Sequence, residues 1–346
     1  MIQYPNWEEI EKDIISCKTL GCNYNNLRVD DLFEIYEEVG FLYPEKKKRI
    51  LPYLQIIKDN WNNALKLGED VLWFSTYEDQ INSNIASFAS YRSTYGGWVG
   101  QHLVSTGCPV YTAKIMIGAH TKVIRERDKK PYKSFQNWFS PNNKYASRVF
   151  GAVTDSIGND LSVIIEYDYI SIKADLFTNC KNINVKQIFN GNNNEITEFL
   201  LKYRGNVYIE AEELNDSDIE LNRVNEIYKQ VDLTRKRYIY IAYEGSSNKP
   251  AGMAIVLRGP FGLNFSNLEN RCDIIVSDEI ESDTVYEVCS ALISSVKENY
   301  FDFLLGYIPV VTNNRTSEVL LNKGANMIRK YKQCIWLKEG YYSYYI

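Results

Sequence analysis

Apolar positions change their period several times along the chain, and the changes mark out helices and strands. Trp7, Ile10, Ile14 and Ile15, then Leu32, Ile35, Tyr36 and Val39, recur at helical spacing. They predict helices over 7–19 and 30–67, punctuated by Pro44 and Pro52. β-rich runs follow at 71–77 and 85–93. A strand over 98–104 then breaks at Ser105-Thr106-Gly107-Cys108-Pro109, and an apolar helix resumes through Ala113, Ile115, Met116 and Ala119. A strand over 134–139, the turn Pro141-Asn142-Asn143, a short helix to Gly151 and an apolar strand over 160–172 complete the first half.

The second half opens near Asp175 with an Asn-rich stretch, 182–194, that reads as a surface loop. A helix over 216–231 precedes strands at 238–243, 251–258 and 271–277. A helix over 284–297, a strand over 303–310, the turn Thr312-Asn313-Asn314, a helix over 315–323, Gly324 and a strand over 332–337 follow. The halves thus repeat one order, each ending in an Asn-Asn turn, a short helix and a closing strand. Such a period means a duplicated domain rather than a solenoid, with domains at 1–175 and 176–346.

Composition narrows the function classes. Of 346 residues, 45% are hydrophobic and 24% charged, as in a soluble globular protein. A net charge of −5 argues against a general nucleic-acid-binding surface. The seven cysteines are scattered, odd in number and without a CxxC pair, which fits reduced thiols in the cytoplasm. Two histidines, His102 and His120, make a metal site unexpected. No apolar run reaches membrane-spanning length.

The strand-turn-helix around 98–113 is the stretch with most chemical promise. A helix start after a strand aims free N–H groups and a positive dipole end at whatever sits above it. Basic residues Lys122, Arg125, Arg127, Lys129, Lys130 and Lys133 follow close behind.

This order of elements, closing on an Asn turn, short helix, Gly and last strand, resembles the GNAT acyltransferase fold. The second half resembles it over 310–336 and the first over 32–172. Together they resemble a tandem GNAT: an α/β (α+β) protein whose two domains each carry a mixed, largely antiparallel twisted sheet flanked by helices. The resemblance implies an N-acyltransferase, with strand 98–104 splayed from 134–139 to admit the pantetheine arm of a donor. That donor is acyl-CoA or an acyl carrier protein, the acyl chain extending to long ones, with no metal. Leu103, Val104 and Ser105 would pair with the arm like an added strand, and Thr106, Gly107 and Cys108 would meet its phosphate. Asn142 and Asn143 belong to the same donor site.

The family's glycine-rich phosphate loop is replaced by Pro109, Val110 and Thr112, which favours a carrier-protein donor docked on the basic residues. In the second half the loop reads Asp278-Glu279-Ile280-Glu281-Ser282-Asp283, whose carboxylates would repel a pyrophosphate. The second domain is therefore degenerate, supporting the first or presenting the acceptor, an amine on an amino acid, peptide or small molecule. His102 on the key strand is the candidate base and Tyr145 the candidate acid. Tyr91, Tyr95 and Trp98 are candidate linings of the acceptor or acyl pocket. Two alternatives remain: an aminoacyl-tRNA-dependent transferase of the same tandem type, which the acidic net charge disfavours, and a non-catalytic binding protein.

Overall fold

The computed structural model describes residues 23–24, 27–79, 84–107, 112, 115, 131–189, 194–245, 249–301 and 306–340. The helix expected over 7–19, Cys108, His120 and the basic residues 122–130 lie outside them. The first half contributes β1 (Asn23–Tyr24), α1 (Val29–Glu38), α2 (Pro44–Ile50), α3 (Leu54–Lys66), β2 (Leu72–Asp79) and β3 (Asn84–Arg92). β4 (Gly97–Ser105), β5 (Ser134–Phe139), α4 (Lys144–Ile157) and β6 (Ser162–Lys173) follow. The second half contributes β7 (Ile183–Ile188), α5 (Asn194–Tyr203), α6 (Asn206–Ala211), α7 (Asn222–Lys229), β8 (Lys236–Glu244) and β9 (Pro250–Arg258). It ends with β10 (Cys272–Val276), α8 (Ser282–Val296), β11 (Tyr307–Thr312), α9 (Asn314–Leu321) and β12 (Asn326–Leu337).

Most predicted elements are present, and three differ for physical reasons. α4 runs on past Gly151, which sits in open space within the helix, and stops at Gly158, whose φ of +88° ends it. The Asn-rich stretch predicted as loop contains β7, whose Ile183 and Val185 turn to the core of the second half. The helix predicted over 216–231 shortens to α7, because Asp218 accepts from the N–H groups of Asn222 and Arg223 (2.8 Å each) and starts it late. Both Asn turns act as helix caps: the side chain of Asn143 accepts from the Ala146 N–H (3.1 Å) and that of Asn313 from Thr316 (2.9 Å).

The strands form one mixed sheet, ordered β1-β2-β3-β4-β5-β12-β6-β11-β10-β9-β8-β7 and flanked by helices. Its centre is an exchange. β12, from the second half, lies antiparallel between β5 and β6, while β6, from the first, lies between β12 and β11. Each half therefore finishes the other's sheet. Two apolar layers cover the first half. One, under α1 and α3, holds Tyr36, Trp61, Phe74, Tyr91 and Val99. The other, under α4, holds Phe88, Trp98, Phe135, Phe150 and Trp336.

Buried ionic contacts fix the first half's β3–β4 turn to the second half. The Glu213 carboxylate accepts from the N–H groups of Tyr95 (3.0 Å) and Gly96 (2.8 Å). Arg235 donates to the Ser93 carbonyl (2.9 Å), and Arg237 to the carbonyls of Ile219 (2.5 Å), Glu212 and Glu213. These guanidiniums are fully buried, and each donor lost would leave a charge underpaired at large cost.

Because Trp336 of β12 packs on Phe150 (5.8 Å between ring centres) and donates to Thr154 Oγ1 (3.0 Å), it belongs to the first half's core. Trp336→Ala is expected to cost about 3–5 kcal/mol, and chemical denaturation should still show one transition sensed in both halves. Independent melting of either half would contradict the interlocked sheet.

Candidate active site

The site forms where β4 leaves β5. The two strands run parallel from Gly97↔Ser134 to Gly100↔Asn137 and then part, so β4 from Gln101 to Ser105 has no partner on that edge among the described residues. The cause lies on the opposite edge. In the β3–β4 ladder Ser87 faces Val104 and Ala89 faces Gln101, so His102 and Leu103 together oppose only Phe88. This extra residue is a β-bulge, which bends and twists the strand that carries it. His102 takes φ +54°, a conformation uncommon outside glycine. The fork also needs Gly100: a Cβ there would sit 2.4 Å from Asn137 Oδ1 and 2.5 Å from Phe88 Cζ.

A cavity of about 330 Å³ opens at the fork and reaches both faces of the sheet. On the α4 face it is lined by Leu103, Thr112, Phe139, Asn143, Tyr145 and Phe150. On the α1–α3 face the lining is Phe41, Lys46, Gln101, His102 and the second half's Asn264, Ser266, Leu268, Arg329 and Tyr331. That volume is at the small end of ligand-binding clefts.

The bulge corrects the expected alternation of side chains. Gln101 was to share a face with Leu103, and His102 with Val104. Gln101 Nε2 instead donates to the Leu263 carbonyl (2.6 Å), on the same face as His102. His102 stacks on Trp61 (5.6 Å, 9° between planes) and packs against Phe265 (4.3 Å), Phe41 and Tyr36. Burial, aided by the Lys46 charge, holds its pKa well below the ordinary 6.5. Its Nε2 accepts from the Phe265 N–H (3.4 Å), which assigns the proton to Nδ1, buried and without a protein partner. His102 thus lines the cavity with its Nε2 lone pair engaged by the Phe265 N–H, which leaves it a donor rather than a base in this arrangement.

The other predicted residues divide. Leu103, Tyr145 and Asn143 line the cavity with His102. Val104 is buried in the layer under α1 and α3. The Ser105 hydroxyl accepts from the Gly107 N–H (3.1 Å), while Thr106 Oγ1 accepts from the Ile85 N–H (2.7 Å) and so belongs to the β3 side. Asn142 is exposed, and Asn143 Oδ1 is engaged as the α4 cap. Tyr91, Tyr95 and Trp98 do not line the cavity. Tyr91 is core beneath Arg235, Tyr95 lies between the guanidiniums of Arg92 (5.1 Å) and Arg223 (4.6 Å), and Trp98 packs on Trp73. Asp273 is buried and engaged by Arg204 (3.2 Å) and Tyr208 (2.8 Å). The acidic loop is braced by Lys202 and Lys249, which hold the Glu279 carboxyl down at about 2.

Several residues at the site carry no motif in the sequence. Asn137 Nδ2 is buried at the apex of the fork without a partner among the described residues. The loop 259–271 folds across from the second half, held by Trp61 Nε1 and Asn60 Nδ2 donating to the carbonyls of Gly262 and Phe261 (2.9 Å each). Gly262 has φ +79°, and a Cβ there would lie 2.4 Å from Ile57 Cγ1. Glu269 closes the loop by accepting from the N–H groups of Gly262 and Asn264 (3.2 Å each); burial raises its carboxyl to about 7. Lys46 is 5% exposed, with its ammonium 3.7 Å from the centre of the Phe41 ring. Burial, then the charges of Arg329 and Arg49, lowers it from 10.5 to about 7.

That shift carries a sign. The folded protein gives up the Lys46 proton near pH 7 and the unfolded chain near 10.5, so this group's penalty is full below pH 7 and fades as pH rises to 10.5. Lys46→Met, which keeps the stem's packing, should therefore melt several degrees higher than the parent at pH 6. The gain should vanish by about pH 10 in parallel thermal melts. A gain independent of pH would mean that the ammonium is compensated.

No protein-family model matches the chain, and no curated protein matches it. Solved structures similar to it include a tandem GNAT protein from the clavulanic acid biosynthesis pathway, at 9% identity over 92% of this chain and 98% of that one, with a TM-score of 0.41. A GCN5-related N-acetyltransferase from Sphaerobacter thermophilus matches at 10% identity over 78% and 81% of the two chains, TM-score 0.38. A conserved Staphylococcus epidermidis protein of unknown function matches at 12% identity over 72% and 90%, TM-score 0.39. The chain is thus similar to a tandem GNAT protein and to a GCN5-related N-acetyltransferase.

Proposed function

We propose that this protein is an N-acyltransferase that moves an acyl group from a pantetheine thioester, on coenzyme A or a carrier protein, to an amine. The reading is carried by one observation: a β4 edge that no described residue pairs with, beside a cavity that passes between the strands. An extended pantetheine arm entering from the α4 face can add to that edge through backbone hydrogen bonds. In this reading the first half, 1–175, holds the donor site. The second half, 176–346, supplies the loop 259–271 and the β12 side chains that close the acceptor side. The described cysteines, Cys180, Cys272, Cys289 and Cys334, are free thiols, in keeping with a reducing cytoplasm.

The reaction joins the acceptor nitrogen to the thioester carbonyl carbon and breaks the C–S bond; the nitrogen sheds a proton to water, and the leaving thiolate takes one from Tyr145, which solvent reprotonates. Negative charge builds on the carbonyl oxygen meanwhile. Asn137 Nδ2 and His102 Nδ1, both buried and unpartnered, are the donors at hand for it. Tyr145, at the cavity in the first turn of α4, is placed to return a proton to the thiolate. No described carboxylate lines the cavity, so the amine reacts as its free base and sheds its proton to water.

Incubation with acetyl-, long-chain acyl- and carrier-bound thioesters and a panel of amines should release free thiol. Absence of release with every donor would reject the transferase, and RNase-sensitive transfer would favour an aminoacyl-tRNA donor. Asn137→Leu should lower kcat by roughly 10²-fold. The pH profile of kcat/KM should climb with the acceptor amine and show no limb near 6.5. Such a limb, abolished in His102→Ala, would restore imidazole as the base.

A further inference from the structure

Three cations gather on the α1–α3 face of the cavity, and no described carboxylate pairs with any of them. Lys46 and Arg329 line it directly. Arg329, on β12, is fixed by a 2.8 Å bond to the Tyr43 hydroxyl and lies over the rings of Tyr43 (5.7 Å) and Tyr331 (6.0 Å). Arg49, one turn beyond Lys46 in α2, donates to the Phe265 carbonyl (3.5 Å) and has an unpartnered Nε. Two other buried cations meet carboxylates, Arg204 with Asp273 and Arg271 with Glu212, whereas Arg235 and Arg237 spend their donors on backbone carbonyls. A buried ammonium beside two like charges raises the free energy of the fold, and the aromatic faces of Phe41 and Tyr43 only soften that cost. An anion entering the cavity would offset it.

The fork decides which reactant brings that anion. The donor's arm occupies the α4 face, so the acceptor must reach the thioester carbon from the α1–α3 face, past Lys46 and Arg329. A planar guanidinium suits a carboxylate, and holding that carboxylate would aim the amine at the bulge. We infer that the acceptor is an amine bearing a carboxylate, an amino acid or short peptide, whose carboxylate is held by Lys46 and Arg329 with Arg49 adding charge behind them. The inference rests on the acyl-transfer reading and names the substrate class for it.

The test compares free amino acids and dipeptides with their C-terminal amides on the full chain, by calorimetric titration without donor and by thiol release with acyl-CoA. Free acids should bind at least tenfold more tightly than the matched amides. Lys46→Met and Arg329→Gln should each erase that preference. Equal binding of acids and amides overturns the inference even where thiol is released. Acid-selective binding without thiol release from any donor leaves the carboxylate site standing and ends the transferase reading. A Lys46→Met protein that loses kcat on acids and amides alike, with KM unchanged, makes Lys46 the proton acceptor and also overturns it. Inorganic phosphate that binds more tightly than every free acid, and loses that binding in both variants, makes this a phosphate site instead. Should the variants fail to fold, the acid-to-amide ratio on the parent protein decides.

Discussion

One additional residue in β4 governs the rest of this molecule. Because His102 and Leu103 share a single partner on β3, the strand turns away from β5 at the level of Gly100, and a backbone edge is left open inside the sheet. An open edge is ordinarily a liability that proteins shield. Here it is shielded by geometry, since the gap is flanked by α4 on one face and the loop 259–271 on the other. The left-handed backbone at His102 costs of order 1–3 kcal/mol. The aromatic packing of Trp61, Phe41, Tyr36 and Phe265 around the imidazole holds it there.

The second half acts on that gap at a distance and by contact. At a distance, Glu213 and Arg235 grip the turn between β3 and β4, which sets where β4 begins. By contact, Asn264, Ser266 and Leu268 from the loop and Arg329 and Tyr331 from β12 form one wall of the cavity. The second half is thus part of the cavity itself and not only its scaffold. Two of its buried arginines, Arg235 and Arg237, serve architecture by donating to buried backbone carbonyls.

Much of the fold was legible because its elements are strongly patterned. β5 agrees with the predicted 134–139 at both ends, and the Asn143 and Asn313 caps announce their helices. The divergence of β4 from β5 came only through the family resemblance, although Gly100 was visible as a residue without a side chain to pack. What period-two reasoning could not reveal was the bulge, since an inserted residue leaves no trace in an apolar run and reverses the face of every side chain before it. For that reason Gln101 was set on the wrong face. Lys46 was missed for another reason. It sits in Glu45-Lys46-Lys47-Lys48-Arg49, a run that reads as a solvated helix end, and only α2's docking against Phe41 buries one member. Tyr91, Tyr95 and Trp98 were drawn to the site by proximity in sequence, yet aromatics next to a functional strand are most often simply its core.

The exchanged strands bear on how this protein comes into being. Gln136 of β5 meets Gln333 of β12 across 197 positions of sequence, so the central slot of the first half stays empty until β12 has been synthesised. Closing so long a loop is slow, and the unfilled slot exposes two strand edges in the interim. The nascent first half is therefore a species for chaperones to guard, and competence at the fork arrives last, in a single step with the completion of the sheet.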